Sequence, residues 1–304
     1  MKVLVLFAAL YAPDAHAWGL QTHLFFAQYA LAAVPLADPE LRAAAARFPR
    51  LVLAGACLPD LAIVGRFFLR TPVFLRTHRW ATLRRIAAAP RSDEHRALVL
   101  GYATHLVSDV VAHNHFVPEH EARIGRAAMV AHLVAEWAMD RHVDTDLRPA
   151  DALEEAGWHA VQFVAQGFRC GEILSRRAIH VLARGERLLR GSPVPALCRR
   201  TVALMDRNWD TRFEVYLRRT MQGLGSIETA LSGGFEDWCG SDPEGSEGDG
   251  SADSRAREHI ARVMQAEHHA RSCGEQCERR EYHREPRVVR AGDQRESHRV
   301  KRVA

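Results

Sequence analysis

The segment Val99–Val111, VLGYATHLVSDVV, is almost wholly apolar, yet it holds an imidazole and a carboxylate, His105 and Asp109, four residues apart. As a helix it makes about three and a half turns. Residues four apart then project from one face, with Cβ atoms roughly 6 Å from each other. Enclosing an imidazole and a carboxylate in apolar surroundings is costly unless they are paired with each other or with a metal ion. A fold that contains this segment must therefore bury it and supply partners for both groups.

Helical spacing continues on either side. Apolar positions recur at intervals of three and four in 20–34, 93–112, 124–144, 150–167, 171–190 and 195–220. Ser92-Asp93-Glu94 offers an N-cap and an acidic first turn before the apolar stretch. No segment shows sustained period-two alternation with β-branched enrichment, so the expected fold class is all-α, a single multi-helix bundle domain. At 47% hydrophobic and 26% charged, the 304-residue chain has ordinary globular composition, which excludes disorder throughout, collagen and fibrous coiled coil. A net charge of +4 is too small to indicate a nucleic-acid partner by itself.

Both ends differ from the middle. Lys2, the apolar run Val3–Ala12 and the small residues of Ala15-His16-Ala17 read as a secretory leader, so 1–17 is expected to be a signal peptide cut before Trp18. The alternative is a buried N-terminal helix. No later apolar run of about 18 residues is read in the sequence, so the mature chain is expected to be soluble and secreted or periplasmic. Beyond Gly233 the composition changes. Residues 241–304 contain no Leu, Phe or Trp, and carry 13 acidic and 13 basic residues. Such a tail cannot bury enough apolar area to offset its ordering entropy. The expected organisation is a leader (1–17), one helical domain (18–235) and a disordered linker and tail (236–304). Six cysteines, in an exported chain, allow 15 disulfide pairings among which sequence does not choose.

Histidine is the unusual residue, with 17 in the chain and seven of them between His95 and His142. A second spaced pair, His132 and Glu136, follows the first. Each pair has the reach to bind one zinc ion at about 2.0–2.2 Å per ligand. A single pair of this kind is usually a solvated helix contact; two within 32 residues, one in an apolar segment, favour metal. Upstream, Trp18 becomes special if cleavage occurs there. A free α-amine and its own carbonyl oxygen can chelate a cation, and the amine's low pKa lets a metal displace its proton. His23 follows five residues later, then Asp60 and His78.

The ordered set Trp18, His23, Asp60, His78, His105, Asp109, His115, His132 and Glu136 resembles the zinc-dependent phospholipase C family, whose superfamily includes the single-strand-specific zinc nucleases. The resemblance covers roughly residues 18–145 and rests on the N-terminal Trp and on His-x-x-x-Asp-x-x-x-x-x-His at His105, Asp109 and His115. It implies an all-α fold with three zinc ions. Asp60, His78, His105 and Asp109 would hold the first, and His115, His132 and Glu136 the second. Trp18, His23 and Asp109 would hold the third, with Asp109 bridging. It also implies Asp60 as the catalytic group that orients or deprotonates the attacking water. The short interval from His78 to His105 departs from larger relatives and leaves His95 as a reserve for His78; His113 competes with His115. One of Asp140, His142 and Asp144 is a candidate to orient a ligand imidazole, with a solvated helix end as the alternative.

The function this implies is a phosphodiester hydrolase of phospholipase C type, acting on phospholipid with transient membrane-surface contact and no stable nucleic-acid partner. Two alternatives stand beside it: a single-strand-specific zinc nuclease, and a non-catalytic exported protein stabilised by zinc. The Trp18–His23 spacing leans towards the nucleases. Glu136 and the Gly101-Tyr-Ala-Thr-His105 context lean towards the phospholipases. Phe67, Phe68, Phe74 and Trp80 are candidates for a lipid-facing rim, with the core as their alternative place.

Overall fold

The computed structural model describes residues 18–88, 92–117, 119–120, 128–143 and 145–234, with the side chains of 128–133 outside the description. The expected leader, the tail and Cys239, Cys273 and Cys277 lie outside it. Among the described residues there are helices and turns and no strand. The helices are α1 (Leu20–Ala33), α2 (Pro39–Arg47), α3 (Pro49–Gly55), α4 (Trp80–Ala87), α5 (Asp93–Val111) and α6 (Ala128–His142). They continue with α7 (Pro149–Gly167), α8 (Glu172–Arg190), α9 (Val194–Met205), α10 (Trp209–Gly223) and α11 (Ile227–Leu231).

Helix α5 is the core of the bundle. Its start is set by Ser92, whose extended backbone and hydroxyl cap the first turn by accepting from His95 N–H at 3.3 Å. From Ala97 to Val111 every residue is buried, as a helix that is apolar nearly all round requires. Helices α1, α2, α3, α4, α7, α10 and α11 pack around it. The crossing with α3 is backbone against backbone. A Cβ on Gly101 would stand 1.9 Å from the Val52 carbonyl oxygen, and one on Gly55 would stand 2.3 Å from that of Leu98. Only glycine at both positions permits this approach.

Two details depart from the periodicity. The apolar pattern over 195–220 is two helices, because Asp206 turns out of helical geometry (φ −134°, ψ 108°). Its carboxylate accepts from Asn208 N–H at 2.9 Å and Arg212 Nε at 2.7 Å, a local turn that competes with the helix. Helices α2 and α3 were not anticipated. They are short and begin on Pro39 and Pro49, and Asp38 caps α2 by accepting from Glu40 N–H at 2.8 Å.

One stretch, Pro49–Phe68, has the length and apolarity of a membrane span, contrary to the reading that no such run follows the leader. It is 72% buried inside the bundle and is interrupted by a 3-10 turn at Leu58–Asp60 and a π-helical turn at Val64–Phe68. This is how a core element is built. Cys57, Cys170 and Cys198 are free thiols.

Candidate metal centre

On α5, His105 Nε2 stands 3.1 Å from Asp109 Oδ2. The α3–α5 crossing brings the Ala56 carbonyl within 2.7 Å of His105 Nδ1, so Nδ1–H donates there and Nε2 is left with its lone pair. Helix α1 supplies His23, whose ring stacks on that of His105 at 3.5 Å between centroids and 10° between planes. Ser108 fixes its orientation. The Ser108 hydroxyl donates to the His105 carbonyl at 2.7 Å, so it accepts from His23 Nδ1–H at 3.1 Å. His23 Nε2 then faces Asp109 Oδ1 at 3.3 Å.

His78 and Asp60 come from the other side. Asp60 ends the turn after α3, and His78 follows the turn at Pro72–Phe74. His78 Nε2 lies 3.0 Å from His105 Nε2, and 3.6 Å from both Asp60 Oδ1 and Asp109 Oδ2. Thr77 holds the far nitrogen, Nδ1, at 3.2 Å, and the Thr77 carbonyl is fixed in turn by the Tyr102 hydroxyl. His23, Asp60, His78, His105 and Asp109 are all at most 2% exposed.

This set fits a cation. Burial, then the neighbouring His23, pushes His105 below its ordinary pKa, towards the neutral form that ligates. Burial alone would raise Asp109, but the His105 and His23 imidazoles hold its carboxyl well below the usual carboxylate value. Neither Asp109 oxygen accepts a hydrogen bond. A buried carboxylate without donors, facing imidazole lone pairs, is a donor set for a positive ion. Two groups of ligand atoms lie within 4.8 Å of one another: His23, His105 and Asp109, and Asp60, His78 and His105. Here His105 belongs to both groups, while Asp109 divides its oxygens, Oδ1 towards His23 and Oδ2 towards His105 and His78.

The remaining candidates are spread further along the bundle. Trp18 is fully buried against Phe26 and Phe116, and its indole N–H donates to the Ser108 carbonyl at 3.0 Å. Residue 18 is thereby tied to the turn of α5 that carries Asp109. His115 stands half-buried in the π-helical turn Ala112–Phe116 that continues α5. Its Nε2 is enclosed without a hydrogen-bond partner, and burial followed by Arg219 lowers its pKa. Glu136 is 2% exposed on α6. The side chain of His132, one turn earlier, lies outside the described residues. No group joining His115 to Glu136 is found among the described residues.

His95, the reserve, is directed elsewhere: its Nε2 meets the Ile86 carbonyl at 3.2 Å and its ring packs on Phe163. His142 pairs with Glu214 at 3.1 Å and Asp210 at 3.4 Å. Among the described residues Asp140 meets no imidazole. Its carboxylate accepts from Thr22 N–H at 2.9 Å, Thr22 Oγ1 at 2.6 Å and Gln21 N–H at 3.3 Å, capping α1 from α6. Gly19 leaves the room, since a Cβ there would stand 2.2 Å from Asp140 Oδ2. Sequence reasoning missed three groups that hold ligands: Ser108, Thr77 and the Ala56 carbonyl. Ser108 had a signal, being three residues after His105 on the same helix.

The family described as zinc dependent phospholipase C matches residues 22–166. No curated protein and no solved structure matches the chain. The matched span contains His23, Asp60, His78, α5 and Glu136, and ends within α7.

Proposed function

Through residues 22–166 the chain belongs to the zinc-dependent phospholipase C family, and from that premise we propose that it hydrolyses phosphate esters of phospholipids, on the glycerol side of the head-group phosphate. The observation that carries this reading is the buried Asp109 carboxylate, without a hydrogen-bond donor, among the Nε2 atoms of His23, His78 and His105.

In this reading Asp60, His78, His105 and Asp109 hold one zinc ion, and His23 and Asp109 contribute to another with the Trp18 amine and carbonyl. His115, His132 and Glu136 hold the third. When bound, zinc ions neutralise charge on the phosphate and lower the pKa of water towards neutrality. Asp60 takes the proton of the attacking water or orients it. Ala56 and Ser108 keep the His105 and His23 lone pairs aimed inward, so no reorganisation is needed during turnover. The N-terminal chelate requires removal of residues 1–17, so export with cleavage before Trp18 is part of the proposal. The buried indole of Trp18 supports it by holding residue 18 beside the cluster.

A nuclease is the second reading, favoured by the five-residue step from Trp18 to His23. Assaying the mature chain on phosphatidylcholine and on single-stranded DNA separates the two. Lipid hydrolysis is expected; activity on DNA alone overturns the substrate. Elemental analysis is expected to give about three zinc ions per chain, and one or none overturns the ligand assignment.

A further inference from the structure

Asp60 and His78 bracket a lobe, residues 61–77, whose two ends meet at the candidate centre with His78 Nε2 3.6 Å from Asp60 Oδ1. The lobe is a built structure. Thr71 N–H donates to the Gly65 carbonyl at 2.8 Å and closes its base. Phe74 is fully buried against Phe168, and a Cβ on Gly65 would touch Phe74 at 3.0 Å. Thr82 Oγ1 donates to the Arg76 carbonyl at 2.7 Å.

What this frame holds outward is apolar and basic. Phe68 is 44% exposed and Leu75 42%, with Arg70, Pro72 and Arg76 also exposed. From Leu61 to Ser92 the chain has seven arginines and no aspartate or glutamate. Of the expected lipid-facing rim, Phe74 and Trp80 are buried, Phe67 is half-buried and Phe68 is exposed; Leu75, outside that set, is exposed as well. Exposed apolar groups flanked by cations match an anionic bilayer, where acyl chains take the former and head-group phosphates the latter. A single nucleic-acid strand would also take the arginines and could stack one base on Phe68, but Leu75 and Pro72 offer it no aromatic face, whereas acyl chains take all three.

We infer that residues 66–76 dock the protein onto an anionic phospholipid surface, with Phe68 and Leu75 entering the interface and Arg70 and Arg76 meeting phosphate. This rests on the lipid-substrate reading and adds the surface that brings the centre to its substrate.

The test is sedimentation of the full chain with vesicles of phosphatidylcholine alone and of phosphatidylcholine with phosphatidylglycerol. The anionic vesicles are expected to bind it more tightly, and less so at high salt. Arg70→Gln with Arg76→Gln is expected to weaken that binding about 30-fold. Phe68→Ser with Leu75→Ser is expected to weaken binding to both vesicles by about tenfold. All four positions are exposed, so thermal midpoints are expected to hold and to show that the variants are folded. Equal binding by variants and wild type overturns the docking lobe. So does an arginine variant that loses single-stranded DNA binding and keeps vesicle binding. A chain that binds as expected but hydrolyses no phospholipid retains the lobe and sinks the substrate reading.

Discussion

The two ends of the run of candidate ligands from His105 to His115 are built differently. Around His105 and Asp109 the backbone is a regular helix, and the second nitrogen of each nearby imidazole is committed to an oxygen: Ala56 carbonyl for His105, Ser108 for His23, Thr77 for His78. Past Val111 the backbone becomes a π-helical turn, and His115 keeps an enclosed Nε2 without a hydrogen-bond partner, while His120 beyond it has Nδ1 on the Phe116 carbonyl at 2.8 Å. The first end is preorganised by its neighbours, so its ligand geometry does not wait for a cation. In the proposed ligand set the second is completed only by His132 and Glu136 of another helix, α6, so its geometry is the more open to adjustment when a cation arrives.

Asp109→Asn breaks the preorganised end most directly. Metal content after dialysis is expected to fall, and hydrolysis to drop by more than the 10–100-fold typical of groups that only orient a ligand. Full metal content and activity would remove the α5 cluster as the centre. His115→Ala is the counterpart: elemental analysis is expected to show one ion fewer, with the ions of the α5 cluster retained. Loss of all metal would mean that the two ends are one cooperative unit. Gly101→Ala attacks the frame behind His105. Its Cβ would meet the Val52 carbonyl oxygen, so denaturant unfolding is expected to show a loss of about 1–3 kcal/mol or more. Ser108→Ala removes the acceptor for His23 Nδ1 and leaves the helix intact. Metal titration is expected to show roughly 10–100-fold weaker binding of one ion only.

The smallest effect is a pH slope. Burial pushes the Asp140 carboxyl up to about 6, against the hydrogen bonds from Thr22 and Gln21. The native state therefore holds this proton more tightly than the unfolded chain, whose aspartates titrate near 3.9. Its contribution is fully present below about pH 4 and is lost as pH rises through about 6. Relative to Asp140→Asn, the wild-type thermal midpoint is expected to decline across that window. A constant difference between the two would show that Asp140 does not titrate there.

The all-α class was legible because apolar spacing of three and four is a local property of each segment. The Ser92 cap was legible for the same reason. The break at Asp206 was not, since one side chain there redirects the backbone within an unchanged apolar pattern. Helices α2 and α3 were too short for periodicity to declare them, and α2 is four-ninths alanine. At the centre, His105 and Asp109 could be paired from sequence because helical geometry fixes residues four apart. That His78 rather than His95 reaches the cluster was not fixed by spacing. It follows from the turn at Pro72–Phe74 and from the Ile86 carbonyl that engages His95.

By itself, then, the sequence determined a buried helix with an imidazole and a carboxylate on one face, since 3.6 residues per turn permits nothing else. Only the tertiary structure decided what those two groups meet. It made His105 common to two ligand groups, split the Asp109 oxygens between His23 and the His78 side, and set Asp140 to cap α1 rather than orient a ligand. These contacts join residues as many as 119 apart along the chain. Their distances depend on how closely helices can cross, and at Gly55 and Gly101 that was decided by the absence of two side chains.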